Sequence, residues 1–334
     1  MESNVLPVKN SMKNTVKVSV CVPIYGVEQY IEECVRSLME QTMKDDIEFI
    51  FVNDCTKDKS IEILKKVISD YPERNNQVKI INHEVNKGLA AARNTAIDTA
   101  SGDFIIHVDS DDYLELNAIE KLYDTANEYD VDLVIPDFNI IYKNGHAIYH
   151  DNYNNDKFYY LSQVLTRKRL VNIIGKLIKK EIITANNLRE IEGVNQGEDY
   201  LMTPRIIYYA NTIKKIDLPL YNYNRSNISS YTSTFNEKGV DDLIEVQEQL
   251  VKFFSNISDA FKYESIINKS KIYNKITLLY NAPLNSYKKI ASLYPEAENE
   301  LNDISLKHKA LLYLVNLGFY KLSYNIIKII KKWR

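Results

Sequence analysis

Short apolar runs alternate with segments of helical period over the first part of the chain, up to about Phe138. The apolar runs are rich in β-branched residues and predict strands. Between them, apolar residues recur at helical spacing, as Ile31, Val35 and Leu38 do. This alternation with short connections predicts an α/β fold with parallel strands and helices on both faces. The predicted strands are VKVSVCVP, IEFIFVND, VKIINHE, DFIIHVD and VDLVIPDF, and the predicted helices are residues 28–41, KSIEILKKVISDY, GLAAARNTAIDTASG and LNAIEKLYDTANEYD.

The pattern changes after Phe138. Residues 139–166 are polar and rich in tyrosine, so we expect a hairpin and a loop over the edge of the sheet. Residues 198–210 predict a helix, which two short strands, TIKKIDLP and LYNYN, follow. From about Lys238 onward the pattern is helical. We therefore divide the chain into a tail (residues 1–15), an α/β domain (16–237, with halves 16–138 and 139–237) and a helical C-terminal region (238–334).

Composition and charge narrow the class of protein. Apolar residues make up 45% of the chain, as in ordinary globular proteins, and no apolar run approaches a transmembrane length. The formal net charge of −3 argues against a dedicated nucleic-acid-binding protein. Cys21, Cys34 and Cys55 show no CxxC spacing, and the N-terminal residues lack the apolar core of a secretory signal. We therefore expect a cytoplasmic protein with reduced thiols.

The fourth predicted strand ends in the acidic stretch HVDSDDYL. Asp109 and Asp111 are two residues apart, so in extended backbone their carboxylates point to the same side. Ligands of open parallel sheets bind beyond the carboxyl ends of the strands, and carboxylates there suit Mg²⁺ or Mn²⁺, which can clamp a diphosphate. The same stretch can alternatively be a strand-to-helix turn in which Ser110 or Asp112 caps the next helix. The spacing alone leaves both interpretations open.

Six segments resemble, in order, the motifs of the family-2 glycosyltransferases with the GT-A fold. The resemblance extends from Val18 to about Asn224. It implies a Rossmann-like, mostly parallel sheet flanked by helices, with residues 16–138 binding the nucleotide-sugar, residues 139–237 on the acceptor side and a helical C-terminal extension. The segments are VSVCVPIYG, SLMEQT, FIFVND, NKGLAAARN, ASGDFIIHVDSDDYL and GEDYL.

The resemblance also implies a reaction. A hexosyl or N-acetylhexosaminyl group would move with inversion from a nucleoside-diphosphate sugar, expected to be a UDP-sugar, to an acceptor hydroxyl. The acceptor would be a glycan or a lipid-linked glycan, in bacterial polysaccharide or capsule assembly. Mn²⁺ or Mg²⁺ would stabilise the leaving diphosphate. In such enzymes nucleic acid is no partner.

By position, the resemblance assigns a role to each matching residue. Asp111 would be the principal metal ligand, with Asp109 near the metal or the ribose. Asp54 would accept a hydrogen bond from the base. The remaining residues expected to bind the donor nucleotide are Pro23, Tyr25, Arg93 and Ser110.

Asp199 in GEDYL matches the general base of the family, with Glu198 beside it. On local sequence alone an acidic first turn of a helix is the better interpretation of the same two residues, and their place downstream of the DxD motif favours the catalytic one. Arg225 lies in YNYNRSNISSYT, where the family has a segment that closes over donor or acceptor. Its side chain would meet a phosphate there, but an ordinary surface loop explains the segment equally well. Asp112 would orient the site or form part of a loop.

The last segment, YKLSYNIIKIIKKWR, predicts a basic amphipathic helix. Such a helix can lie in a membrane interface, which would make the protein peripheral at the inner face of the cell membrane, or it can dock on the core of its own protein. The apolar stripe would consist of Leu322, Ile326, Ile329, Ile330 and Trp333, opposite Lys321, Lys328 and Lys332.

Two rival functions fit part of this pattern. A non-catalytic protein that binds sugar nucleotides would keep the donor site, but it would not need both Asp111 and Asp199. A phosphatase or phosphotransferase with a nucleophilic aspartate would place its DxD motif on the first strand, whereas here the motif ends the fourth. A glycosyltransferase therefore explains the sequence best.

Overall fold

The computed structural model describes residues 16–227 and 235–332. Within these ranges the strands form one sheet of nine strands. Its strands are β1 (Val18–Ile24), β2 (Ile47–Asn53), β3 (Val78–Asn82), β4 (Phe104–His107), β5 (Tyr113–Leu114), β6 (Leu133–Tyr142), β7 (Gly145–Tyr149), β8 (Leu177–Lys179) and β9 (Ile213–Asn224). They are arranged in the order β3-β2-β1-β4-β8-β6-β9-β5, with β7 paired to β6.

Helices cover the sheet and continue past it to form the C-terminal region. Short 3-10 turns lie at Pro72–Gln77, Ala260–Lys262, Leu284–Ser286 and Pro295–Asp303. The helices are α1 (Ile31–Met39), α2 (Ser60–Ser69), α3 (Leu89–Thr99), α4 (Ala118–Tyr129), α5 (Lys157–Leu165), α6 (Lys180–Ala185), α7 (Glu198–Tyr209), α8 (Glu237–Ser255), α9 (Glu264–Asn281), α10 (Tyr287–Ala291), α11 (Leu306–Asn316) and α12 (Tyr320–Lys332).

The first half of the sheet confirms the sequence pattern. β3, β2, β1 and β4 pair in parallel, and β1 is buried along its whole length. Such strands, buried on both faces, have the continuous apolar character seen in the sequence. His107, Cys21 and Cys34 are fully buried, as expected of core residues.

The second half is mixed rather than parallel. β8 lies between β4 and β6 and is antiparallel to both. The predicted pair of short strands after residue 210 is wrong, because the segment forms one strand, β9, parallel to β6. The pairing shifts register around Asp137, near Pro219. Proline lacks the N–H that regular strand pairing needs. The irregular pairing at Pro219 accommodates this residue, so β9 continues as one strand where the sequence suggests two.

The region after Phe138 is only partly as expected. β6 and β7 form the predicted hairpin. The predicted loop is wrong over residues 157–165, which form α5. Asp156 caps this helix by accepting a hydrogen bond from the Tyr159 amide, and Leu161 and Leu165 lie on its buried face.

The C-terminal helices have a core of their own, which α8 joins to the α/β domain. α12 docks on this core, but through a face other than the predicted one. Ile327 is buried, whereas Leu322 and Ile329 are exposed. Within the described ranges we find no helix whose length and apolar character would let it cross a membrane.

Candidate active site

The carboxyl ends of the parallel strands bring the acidic residues of the first half to one edge of the sheet. Asp54 directly follows β2, and Asp109 follows β4 after Val108. The Val108 amide donates to the Cys21 carbonyl of β1, which extends the parallel pairing toward Asp109. Residues from distant parts of the chain therefore converge there, as the sequence predicts.

Arg93, on α3, is the centre of this edge. Its side chain is 1% exposed and contacts four carboxylates. Nη2 lies 2.9 Å from Asp109 Oδ1, and Nη1 lies 2.6 Å from Asp199 Oδ1. Nη1 is also 3.4 Å from Glu190 Oε1 and 3.6 Å from Glu198 Oε1. One guanidinium thus joins the DSD stretch after β4 to the acidic first turn of α7.

The position of α7 depends on Gly197. This residue has φ = 87° and forms the N-cap of α7. A Cβ here would lie 2.6 Å from the Leu243 side chain of α8, so both the backbone conformation and the packing require glycine. The close contact places Glu198 and Asp199 at the start of α7, facing Arg93.

Burial and crowding shift the pKa values of this cluster. Burial lowers the pKa of Arg93, but the four carboxylates outweigh it and raise that pKa well above its usual value. Burial raises the pKa of Asp199, and that of Glu198 well above its usual range, although Arg93 opposes both shifts. Burial raises the pKa of Glu190 to about 8, again against Arg93. Arg93 does not offset the burial of Glu190, Glu198 and Asp199, so these three carboxyl groups hold their protons more tightly than free carboxyl groups do.

We expect Glu190 to make folding stability fall as pH rises. Its folded pKa is about 8, whereas an unfolded glutamate has a pKa of about 4.3. Between these values folding takes up a proton, so the free energy of unfolding of the wild type decreases by up to about 1.4 kcal/mol per pH unit. Glu190→Gln should lose this contribution, so its free energy of unfolding should fall less steeply over the same pH range. Urea unfolding of both proteins across this pH range measures it.

The exposed neighbour Glu192 supplies the matched control. Glu192→Gln should follow the pH dependence of the wild type, because this side chain is exposed to water and lies outside the buried cluster. If the stability of Glu190→Gln and of the wild type changed in parallel with pH, this would contradict the raised pKa of Glu190.

Asp112 holds the acidic turn to the sheet. It is 1% exposed; Oδ2 accepts from the Tyr221 hydroxyl at 2.7 Å and Oδ1 from the Asn224 amide at 2.7 Å, both on β9. The Tyr221 hydroxyl also accepts from the Asp109 amide at 3.1 Å. The alternative in which Ser110 or Asp112 caps the next helix does not hold, since α4 begins after Asn117 without a side-chain cap. Asp112 instead fixes the turn that presents its neighbours.

Asp112→Ala is expected to destabilise the fold by about 1–3 kcal/mol, because it leaves the buried Tyr221 hydroxyl and the Asn224 amide without their acceptor. Chemical unfolding of Asp112→Ala, Tyr221→Phe and the double variant measures the effect and its coupling. The two losses should not add, because they remove the same hydrogen bond. Strict additivity would contradict the contact.

The acidic turn fits a divalent cation. One carboxylate oxygen from each of Asp109, Asp111 and Asp112 lies within 4.8 Å of the others. Arg93 engages one oxygen of Asp109 and the Asn227 amide one oxygen of Asp111, at 2.7 Å, so each of these aspartates keeps a second oxygen for a cation. Burial and the charge of Asp109 raise the pKa of Asp111, as expected of a carboxylate buried beside another carboxylate. Such a set of oxygen donors suits Mg²⁺ or Mn²⁺.

Asp54 is almost fully engaged by its own chain. It is 3% exposed, and Oδ1 contacts His83 Nδ1 at 2.7 Å. The amides of Lys87 and Gly88 donate to Oδ1 and Oδ2, each at 2.8 Å. A carboxylate oxygen can accept two hydrogen bonds, so Oδ2 keeps one site for a nucleotide base. Asp54 therefore fixes the loop before α3, and its contact with a base stays a prediction.

The other expected donor contacts lie around the same edge. Pro23 is buried within β1, Tyr25 follows that strand with 45% of its surface exposed, and Ser110 is buried in the acidic turn. The Arg225 amide donates to the Ile141 carbonyl at 2.8 Å and extends β9 beside β6. Part of the segment YNYNRSNISSYT lies outside the described residues. The nucleotide and phosphate roles of these residues stay predictions.

Glu190 and Lys176 belong to the site but are not marked by any pattern in the sequence. Glu190 lies in a polar loop 97 residues from Arg93, and nothing local distinguishes it. Lys176 is 1% exposed, and Nζ donates to the Asn172 carbonyl at 2.6 Å. Burial lowers the pKa of Lys176 to about 8, while Asp151 and Asp199 oppose the shift. In the sequence, Lys176 precedes a short apolar run and resembles an ordinary lysine at the start of a strand. Only the fold identifies it as a second cation near Asp199.

Comparisons with known proteins agree with this architecture. Residues 19–182 match the family model described as Glycosyl transferase family 2. The chain is 29% identical over 324 residues to a protein of Bacillus subtilis (strain 168) described as uncharacterized glycosyltransferase EpsJ, covering 88% of this chain and 89% of that protein. It is also 29% identical over 253 residues to glycosyltransferase GlyA of Streptococcus pneumoniae, covering 72% of this chain but only 35% of that longer protein.

Among solved structures, that of S. aureus TarS 1–349 in complex with UDP-GlcNAc has a similar fold, with a TM-score of 0.70 at 19% identity. The similarity covers 95% of this chain and 92% of that one. The protein therefore belongs to glycosyl transferase family 2 and has its GT-A fold.

Proposed function

We propose that this protein transfers a sugar from a UDP-sugar to an acceptor hydroxyl with inversion, in the assembly of a bacterial polysaccharide or related cell-surface glycan. The observation that carries the proposal is the position of Arg93, which contacts Asp109 through one terminal nitrogen and Asp199 through the other. One guanidinium group thus holds a donor-side carboxylate and an acceptor-side carboxylate in fixed positions relative to each other. Displacement at an anomeric carbon needs such an arrangement.

Asp199 accepts the proton of the acceptor hydroxyl. As the acceptor oxygen bonds to the anomeric carbon, the bond from that carbon to the phosphate oxygen breaks and UDP leaves with the bonding pair. The raised pKa of Asp199 brings it closer to neutral pH, where a general base is most effective. Arg93 keeps the Asp199 carboxylate oriented, and Lys176 adds a second positive charge nearby. A single displacement inverts the anomeric configuration.

On the donor side, Asp111 and Asp109 would hold a divalent cation. When bound, Mn²⁺ or Mg²⁺ neutralises charge on the diphosphate. Asp112 and Tyr221 keep both ligands in place by fixing the turn to β9. Asp54 maintains the loop before α3 and offers its remaining acceptor site to the base. Pro23 and Tyr25 provide the apolar wall beside it.

The choice of a UDP-sugar rests on likeness rather than on contacts. The similar TarS structure is a complex with UDP-GlcNAc. Its fold supports a nucleotide site of the same kind at this edge of the sheet. The acceptor is proposed to be a glycan, free or lipid-linked, which reaches Asp199 from the side of α7 and β9.

Acceptor-dependent UDP release with Mn²⁺, over a panel of UDP-, GDP- and dTDP-sugars, tests the proposal. We expect release from at least one UDP-sugar and a product whose anomeric configuration, read by ¹H NMR, is inverted. Mn²⁺-dependent UDP binding without release from any donor would favour a non-catalytic binding protein. A retained configuration would contradict the single displacement.

A further inference from the structure

All the charged residues near the C-terminal end of the sequence are basic. From Ile304 to Arg334 the sequence has no aspartate or glutamate, although the whole chain carries a net charge of −3. The described part of this segment consists of α11, a short turn and α12. Positive charge is therefore concentrated on one pair of helices of an otherwise acidic protein.

α11 and the turn after it expose an apolar stripe. Leu306, Tyr313 and Leu317 are spaced seven and four residues apart, which places them on one face, and they are 82%, 66% and 54% exposed. Phe319, in the turn, is 52% exposed. The inner face of α11 is already filled by other residues, which pack in the C-terminal core. These buried residues are Leu311, Leu312 and Val315.

Like α11, α12 has a buried inner face and an exposed outer face. Ile327 is buried in the core, and the outer half of the helix carries two kinds of side chain. Leu322 and Ile329, seven residues apart, lie along one flank and are exposed. Lys321 and Lys328, also seven apart, lie along the other flank and are exposed. Apolar and basic flanks on one exposed half are typical of helices that lie in a membrane interface.

Five lysines of this segment form no ion pair with the residues that the structure describes, since none lies within 4 Å of a carboxylate oxygen. They are Lys307, Lys309, Lys321, Lys328 and Lys331. Lys309 and Lys331 contact the oxygens of Asn302 and Asn281, and Lys328 lies 4.5 Å from the ring centre of Tyr324. Their positive charge remains available to an external anion.

We propose that the C-terminal basic face docks on the surface of an anionic lipid bilayer. This face comprises Leu306, Tyr313, Leu317, Phe319, Leu322 and Ile329, with Lys307, Lys309, Lys321, Lys328 and Lys331. The apolar side chains enter the boundary between head groups and acyl chains, and the lysines reach lipid phosphates. A second copy of this protein is a poor partner for this face, because all the charged residues of both faces would be positive and would repel each other. A soluble polyanion satisfies the lysines but leaves the apolar stripe in water.

Co-sedimentation of the full chain with vesicles tests this docking. The vesicles are phosphatidylcholine alone or with phosphatidylglycerol, at low and high salt. We expect binding only to the anionic vesicles, weakened by salt. Lys321→Gln/Lys328→Gln should lower the partition by about thirtyfold, at about 1 kcal/mol per lysine. Leu322→Gln/Ile329→Gln should lower it by at least about tenfold. The control Lys65→Gln/Lys66→Gln, on exposed lysines of α2, should bind like the wild type.

Several outcomes would overturn the docking. These are no binding to anionic vesicles at low salt, equal binding by all variants, or a dimer in sedimentation velocity that Leu322→Gln/Ile329→Gln dissociates. The inference goes beyond the proposed reaction and fails separately from it. UDP release with a soluble acceptor, without vesicles, should be unchanged in all the variants. If UDP release is absent in the wild type while vesicle binding follows the expected order, only the proposed reaction fails.

Discussion

Asp199→Asn is expected to lower kcat for sugar transfer by about 10²–10⁴-fold, the usual effect of losing a general base. The amide keeps the shape of the side chain but cannot take the proton of the acceptor. Donor binding should survive, because Asp109 and Asp111 are unchanged. Acceptor-dependent UDP release at saturating donor measures kcat, and calorimetric titration with UDP and Mn²⁺ measures donor binding.

Glu198→Gln is the matched control, since Glu198 is the adjacent residue of α7 and lies 3.6 Å from the same Arg93 nitrogen. It should reduce kcat far less than Asp199→Asn does. If the loss were larger in Glu198→Gln, the base would be Glu198. Full activity of Asp199→Asn would contradict the proposed chemistry of this site.

Arg93→Met is expected to destabilise the fold by about 3–5 kcal/mol at neutral pH, the cost of leaving buried charges without their partner. Methionine fills much of the space but leaves four carboxylates facing one another. The folded pKa values of Glu190, Glu198 and Asp199 are already raised and would rise further without Arg93, so the loss of stability should be larger at high pH and smaller at low pH. Urea unfolding at several pH values measures both effects.

Arg36→Met provides the comparison on the surface. Arg36 pairs with Glu32 and Asp70, but its side chain is 37% exposed, and such pairs contribute about 0–1 kcal/mol. Equal stability of the two variants would contradict the central role of Arg93. A loss at Arg93 that does not change with pH would contradict its electrostatic origin.

The sequence predicts the first half of the fold well because its signals are local. The apolar runs of β1, β2 and β4 are almost entirely buried, so each predicts a strand without knowledge of its neighbours. The order of the strands then places Asp54 and Asp109 at one edge. Asp199 could be assigned only through the motif it shares with the family, because its partner Arg93 is 106 residues away.

The errors arise where long-range contacts decide the structure. β8 has three residues and exists as a strand because β4 and β6 pair with it on either side. The bulge near Pro219 depends on β6, and the buried face of α12 depends on the core beneath it. Glu190 and Lys176 join the site through tertiary contacts alone. No pattern in the neighbouring residues marks either one.

The central claim is that the acidic turn after β4 holds the metal and diphosphate beside the Arg93–Asp199 pair. The most direct measurement is anomalous diffraction from crystals soaked with Mn²⁺ and UDP. We predict one manganese peak at coordination distance from Asp111, with the diphosphate on the metal and Asp199 facing the open side. A peak away from the acidic turn, or UDP bound at another edge of the sheet, would contradict the account.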